Sequence, residues 1–174
     1  MKNGNIKPIL VLTLICLFMA AALAVTNSFT EPVISTAAAQ RATAMRSDMI
    51  PDAAGFEPLS LDGMPGTVIE AYRTTNGVGY IFIMTVAGYG GNMEIICGLN
   101  EDGTIISTRV LQQNETKGLG DRVAEEDFGG QFTGKDSSLQ GISAITGATI
   151  SSSAYIEAVR SAFETFAIVG GAVR

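Results

Sequence analysis

Between Pro8 and Thr30 the chain carries 23 consecutive residues without a formal charge, and the stretch from Ile9 to Val25 is almost wholly apolar. As an α-helix rising about 1.5 Å per residue, this run is roughly 34 Å long, enough for a hydrocarbon core of about 30 Å. Residues 1–30 are therefore expected to form a single transmembrane anchor. The competing reading is a cleaved secretory signal, since Lys2 and Lys7 make a basic start and Ala22-Leu23-Ala24 resembles a small-x-small cleavage site. The anchor is preferred because the apolar block exceeds the ~7–15 residues of a signal core. Either way, the lysines and the terminal amine favour the cytoplasmic side. The expected localisation is the cell (inner) membrane, crossed once, with the C-terminal domain extracytoplasmic. Cys16 follows bulky Ile15 deep in the run, which suits a buried packing residue better than a lipid-modified one.

Residues 31–65 read as a helical stalk and linker. The part from Glu31 to Arg46 is rich in alanine and small polar residues, and Pro51 stops it. Residues 66–174 read as the folded domain. Short runs rich in β-branched residues, Thr67–Arg73, Tyr80–Val86, Met93–Leu99 and Thr104–Leu111, are separated by the turn signals Asn76-Gly77, Gly88-Tyr-Gly-Gly91 and Asp102-Gly103. This predicts an antiparallel meander of about four strands, with Cys97 in the core of one of them and no disulfide to Cys16. From Ser153 to Val169, Tyr155, Val159, Ala162, Phe163 and Phe166 share one helical face, while Glu157, Arg160 and Glu164 lie elsewhere. The expected fold class is α+β: one N-terminal transmembrane helix, then an antiparallel sheet packed with helices.

Residue chemistry narrows the function. Histidine is absent and cysteine occurs twice, which removes Ser-His-Asp and Cys-His catalysis, histidine-ligated haem and any four-cysteine cluster or zinc site. Redox chemistry would need an organic cofactor. The net charge is −6 and no basic stripe exists, so nucleic acid is not an expected partner. No Gly-x-Gly-x-x-Gly turn is present for a dinucleotide.

Three small-residue segments could approach a ligand. Ser143-Ala-Ile-Thr-Gly-Ala-Thr-Ile-Ser-Ser-Ser153 leads into the last helix, whose start offers unpaired N–H groups and a positive dipole end to an anion. From spacing alone, serines that merely cap a helix are the preferred explanation. Asn114-Glu-Thr-Lys-Gly-Leu-Gly-Asp-Arg122 has two glycines framing Leu119, and Gly88-Tyr-Gly-Gly91 is compact enough to approach a ligand. Taken alone, an ordinary turn and a bulged hairpin are the better explanations of these two.

In this order and together, the N-terminal apolar run, the Gly88–Gly91 turn, the Glu-Thr-x-Gly-Leu-Gly loop at Glu115–Gly120 and the Thr-Gly-Ala-Thr motif at Thr146–Thr149 resemble the G subunit of the Rnf ion-translocating electron-transport complex. That family is related to the C subunit of the sodium-pumping NADH:quinone reductase, and the resemblance spans nearly the whole chain. It implies an FMN-binding domain with FMN joined through its phosphate to the hydroxyl of Thr149 by a separate flavin transferase that uses FAD. It also implies cofactor contacts at Thr146, Gly147 and Ala148 of the motif and at Glu115, Thr116, Leu119 and Gly120 of the loop. The partners it implies are the other subunits of a multi-subunit membrane electron-transport complex, coupling ferredoxin:NAD+ electron transfer to Na+ or H+ translocation. The chain itself would be an electron carrier with no catalytic acid or base. Ser143 stands where the transferase's recognition motif usually has aspartate, Asn114 where related loops often have histidine, and Lys117 where proline is common. Two other readings stay open at this point: a stand-alone exported flavoprotein for extracellular electron transfer, and a non-redox assembly or binding module whose glycines and serines are structural.

Overall fold

The structure, a computed structural model, describes residues 6–171, and within the first helix the side chains at 8–24, 26 and 43–49. The chain divides into two compact units, Met1–Met45 and Arg46–Arg174.

Helix α1 runs from Ile6 to Met49, so the helix expected over 31–46 is the latter part of one continuous element. It ends where Pro51 disfavours helical backbone at Ile50. Ile9–Leu12, Leu14, Ile15, Leu17–Met19 and Leu23 are exposed along it. Among the described residues no helix is long and apolar enough to cross a membrane. The side chains of the uncharged run at 25 and 27–30 lie outside the described residues. Cys16, expected to be a buried packing residue, is exposed instead, as are its apolar neighbours Ile15 and Leu17 on α1.

The second unit has the expected antiparallel sheet with helices. Strands β1 (Phe56–Pro58), β2 (Val68–Thr74), β3 (Gly79–Ala87), β4 (Asn92–Asn100) and β5 (Ile105–Gln112) lie in the order β1-β2-β3-β4-β5, all antiparallel. The four expected strands fall within a residue or two of their predicted limits, and all three turn signals are turns. The fifth, β1, was not foreseen, because three residues ending in proline are too short to show a period. After β5 come a 3₁₀ turn at Gly120–Ala124, helix α2 (Glu126–Gly130) and helix α3 (Thr149–Gly171). Helix α3 begins four residues before the expected Ser153. Thr, Ile and Ser are weak helix formers, so the sequence understates a first turn that tertiary contacts hold.

Strand alternation divides the apolar residues between two faces. Tyr80, Phe82, Met84 and Val86 of β3, with Met93, Ile95, Cys97 and Leu99 of β4, face the helices. Ile81, Ile83 and Ile96 face the other way, against Met49 and Ile50. The main core is strongly aromatic. Tyr155 of α3 is fully buried, stacks on Phe132 at 5.0 Å and meets Phe128 edge-on at 5.2 Å, while Phe166 meets Tyr80 edge-on at 5.4 Å. Each such side chain contributes roughly 1.5–3 kcal/mol by burial. The helix-face aromatics are therefore core, and Glu157, Arg160 and Glu164 are exposed as expected. Burial pushes the Tyr155 phenol far above its ordinary pKa, so it stays a neutral donor to Thr108 Oγ1 at 2.8 Å. Burial likewise raises the Cys97 thiol, which is free and inert.

Candidate functional site

Three segments distant in sequence meet at one end of the sheet. The first is the β3–β4 turn, closed by the Gly88 N–H donating to the Gly91 carbonyl at 2.8 Å. The second is the loop after β5, where the Thr116 carbonyl accepts from the Leu119 N–H at 3.2 Å, and Gly118, at φ 77°, donates its N–H to Asp121 Oδ1 at 2.8 Å. The third is the start of α3.

Glu115 fastens the three together. Its buried carboxylate accepts the Gly90 N–H on Oε1 at 3.1 Å and the Ser151 hydroxyl on Oε2 at 2.7 Å. A buried carboxylate is costly unless such donors satisfy it. The packing around it leaves no room for side chains: a Cβ on Gly88 would collide with Glu115 Oε1, one on Gly90 with the Asn114 carbonyl oxygen, and one on Gly120 with Glu115 Oε2.

Between the segments lies a cleft of about 430 Å³, lined by Tyr89, Glu115, Thr116, Leu119, Gly120, Gly147, Ala148, Thr149, Ile150 and Ser151. Its size falls in the range of about 300–1,000 Å³ typical of small-molecule sites. Of the expected site residues, Glu115, Thr116, Leu119, Gly120, Gly147, Ala148 and Thr149 converge here, whereas Thr146 is exposed outside the lining. Glu115 contributes its carboxylate to the scaffold of the cleft, both oxygens being engaged by protein donors. Sequence reasoning missed Tyr89, Ile150 and Ser151 as individual residues. A signal for Ile150 existed: it is an apolar residue off the buried stripe of α3. Tyr89 was flagged by its glycine-flanked turn, and nothing in the sequence marked Ser151 as a partner of Glu115.

Thr149 is exposed and is the first residue of α3. The turn before it depends on Gly147 at φ 85°, a conformation side chains resist, and on the Ala148 N–H donating to the Ile145 carbonyl at 2.9 Å. The first helical bond runs from the Ser152 N–H to the Ala148 carbonyl at 2.9 Å. Alanine thus occupies the cap position and supplies no side-chain acceptor. Ser152 Oγ turns back to accept the Ile145 N–H at 3.0 Å, and Ser151 Oγ is committed to Glu115. Among the described residues no side chain caps the N–H groups of Thr149, Ile150 and Ser151. An anion held at the Thr149 hydroxyl would meet these donors and the positive end of the helix dipole. Upstream, Gln131 grips Ser143 at both backbone groups, its Oε1 accepting the Ser143 N–H at 2.9 Å and its Nε2 donating to the Ser143 carbonyl at 3.4 Å.

The arrangement offers one exposed hydroxyl at a helix start, uncapped N–H donors beside it and apolar walls from Tyr89, Leu119 and Ile150. It contains no acid–base pair and, among the described residues, no group of side chains able to hold a metal ion. Such a cleft suits an anionic ligand with an apolar body, and residues 88–164 match the FMN-binding domain family, a span covering all three segments.

The whole chain is more particular than that domain. It is 31% identical over 173 residues to the G subunit of the ion-translocating oxidoreductase complex of Methanosarcina acetivorans, covering 91% of this chain and 92% of the relative. Similarity to the G subunit of the Na+-translocating ferredoxin:NAD+ oxidoreductase complex of Acetobacterium woodii is 32% identity, covering 90% and 89%. Similarity to the proton-translocating counterpart of Clostridium ljungdahlii is 29% identity, covering 88% and 86%. The chain belongs to the family of G subunits of ion-translocating oxidoreductase complexes.

Proposed function

We propose that this chain is the flavin-carrying G subunit of a membrane-bound Rnf-type complex that couples ferredoxin:NAD+ electron transfer to Na+ or H+ translocation. FMN is held by a phosphoester to the hydroxyl of Thr149, which a flavin transferase forms from FAD, the pyrophosphate bond breaking and AMP leaving. The observation that carries this reading is the exposed Thr149 hydroxyl at the uncapped start of α3, inside the cleft that Glu115 assembles.

The residues fit such a group. The N–H groups of Thr149, Ile150 and Ser151 stabilise a phosphodiester anion, Gly147 lets it approach the main chain, and Leu119 and Ile150 give the ring apolar cover. When bound, FMN supplies the electron-carrying chemistry that the side chains lack. The chain's own work is to attach, orient and partly desolvate the ring. A covalent tether also prevents loss of the cofactor from a domain outside the cytoplasm. The apolar run at 8–30 supports anchoring of residues 1–30 in the cell membrane, with 31–65 as stalk and linker and 66–174 as the FMN-binding domain on the extracytoplasmic side.

The test is coexpression with a flavin transferase, then fluorescence of the denatured band and peptide mass mapping. The wild-type chain is expected to carry FMN mass on the Thr149 peptide, and Thr149→Val to lose all attached fluorescence. A fluorescent Thr149→Val band would defeat the assignment.

A further inference from the structure

Among the described residues of the unit Arg46–Arg174, the large apolar side chains exposed to solvent are Leu61, Ile69, Tyr89, Leu119, Ile150 and Ile168. The three most exposed, Tyr89 at 71%, Ile150 at 57% and Leu119 at 51%, all line the one cleft. Single exposed apolar residues are normal in a folded protein, whereas several gathered around one concavity mark a binding surface. Tyr89 is the only aromatic of the three, and among the described residues it stacks on no other ring.

Its position is dictated by more than the turn that carries it. Glu115 accepts from Gly90, the residue after Tyr89, and from Ser151, two residues after Thr149. One carboxylate thus sets the spacing between the aromatic side chain and the attachment hydroxyl. Gly88 and Gly90 flank Tyr89 because side chains there would displace Glu115 and the Asn114 carbonyl. A bulky aromatic held between glycines that are themselves fixed by the cleft is poorly explained as a turn residue.

We propose that Tyr89 is the aromatic wall of the cleft, lying against the face of the flavin ring, and that Glu115 is the positioning residue that holds it in register with Thr149. This rests on the flavin reading above. Aromatic rings favour offset or edge-on contact with a flat π-system, while Leu119 and Ile150 supply aliphatic contact. A phenol in van der Waals contact also quenches flavin emission, which phenylalanine and leucine do not, so the contact has an optical signature independent of activity.

The experiment uses the full chain coexpressed with a flavin transferase. Attachment is read by fluorescence of the denatured band, and ring environment by native flavin emission and visible circular dichroism. Wild-type emission is expected to be low in the native state and to rise on denaturation. Tyr89→Phe should raise native emission several-fold with attachment and visible dichroism kept. Tyr89→Leu should raise emission similarly and also weaken the dichroism. Glu115→Ala, which removes the acceptor of both the Gly90 N–H and the Ser151 hydroxyl, should raise emission through loosened placement of Tyr89, with far-ultraviolet dichroism as a check of folding. Attached flavin with wild-type emission in both Tyr89 variants would overturn the wall, and wild-type emission in folded Glu115→Ala would overturn the positioning role. Loss of attachment confined to the Tyr89 variants would make Tyr89 a transferase determinant and also overturn the wall. A wild-type band without attached flavin would sink the covalent reading itself and the inference with it.

Discussion

The β2–β3 and β3–β4 connections both turn on glycine, for different physical reasons. At Asn76-Gly77 the glycine has φ 73° and open space where a Cβ would stand, so the demand is made by its own backbone. Its neighbour Thr74 completes that turn locally, the hydroxyl accepting the Gly79 N–H at 2.9 Å and donating to the Gly79 carbonyl at 3.0 Å. At Gly88-Tyr-Gly-Gly91 only Gly91 has a positive φ, 145°. Gly88 and Gly90 are required by Asn114 and Glu115, which lie about 25 residues further along and press against their α-carbons. One turn is a bend in the chain. The other is a seat shaped by a distant segment, and that is the turn beside the cleft.

The largest effect is expected from removing the carboxylate that makes this difference. Glu115→Ala leaves the Gly90 N–H and the Ser151 hydroxyl without their acceptor. It should destabilise the domain by about 3 kcal/mol, the upper end of the cost of an unpaired buried donor, as read by urea denaturation. Attached flavin in that variant should also become more solvent-accessible. Next, Gly90→Ala forces a Cβ onto the Asn114 carbonyl and should cost about 2 kcal/mol by overpacking, with disturbance of the cleft visible in flavin dichroism. Gly77→Ala should cost about 1 kcal/mol through backbone strain alone and leave the flavin spectra unchanged. If Gly77→Ala perturbed the flavin as much as Gly90→Ala, the distinction between the two turns would fail.

The smallest expected effect is one of acidity at the β4–β5 turn. Asp102 Oδ1 accepts from the Thr104 hydroxyl at 2.7 Å and the Thr104 N–H at 2.9 Å, and these bonds hold its carboxyl below the usual value of 3.8. A carboxyl depressed in the folded state contributes stability that is present above the unfolded value and lost as pH falls through the folded one. The contribution should therefore fade only below about pH 4, and Asp102→Asn should flatten that part of a pH–stability curve slightly, as seen in thermal melts.

Much of the fold was legible in the sequence because strands and turns obey local rules. β3 and β4 show themselves as short apolar runs rich in β-branched residues between turn signals, and Gly77 and Gly103 announce left-handed turns. The first turn of α3 was not legible, since Thr149–Ser152 are weak helix formers held by Glu115 and by the turn at Gly147. β1 escaped because its pairing with β2, not its own pattern, makes Phe56–Pro58 a strand. At the site, the motifs pointed to Thr149, Gly147, Ala148 and the 115–120 loop. They did not reveal that Glu115 spends its charge on Gly90 and Ser151, or that Thr146 falls outside the cleft.

By itself the sequence determined the apolar run, the four strands of the meander, the turns between them and the exclusion of histidine- and cysteine-based chemistry, because each depends on residue type or on spacing within a few positions. Only the tertiary structure decided that Tyr89, Leu119, Thr149 and Ile150 border a common cleft and that one carboxylate holds its edges together. Contacts between residues 25 to 60 positions apart arise from closure of the sheet against α3, and no local period encodes them.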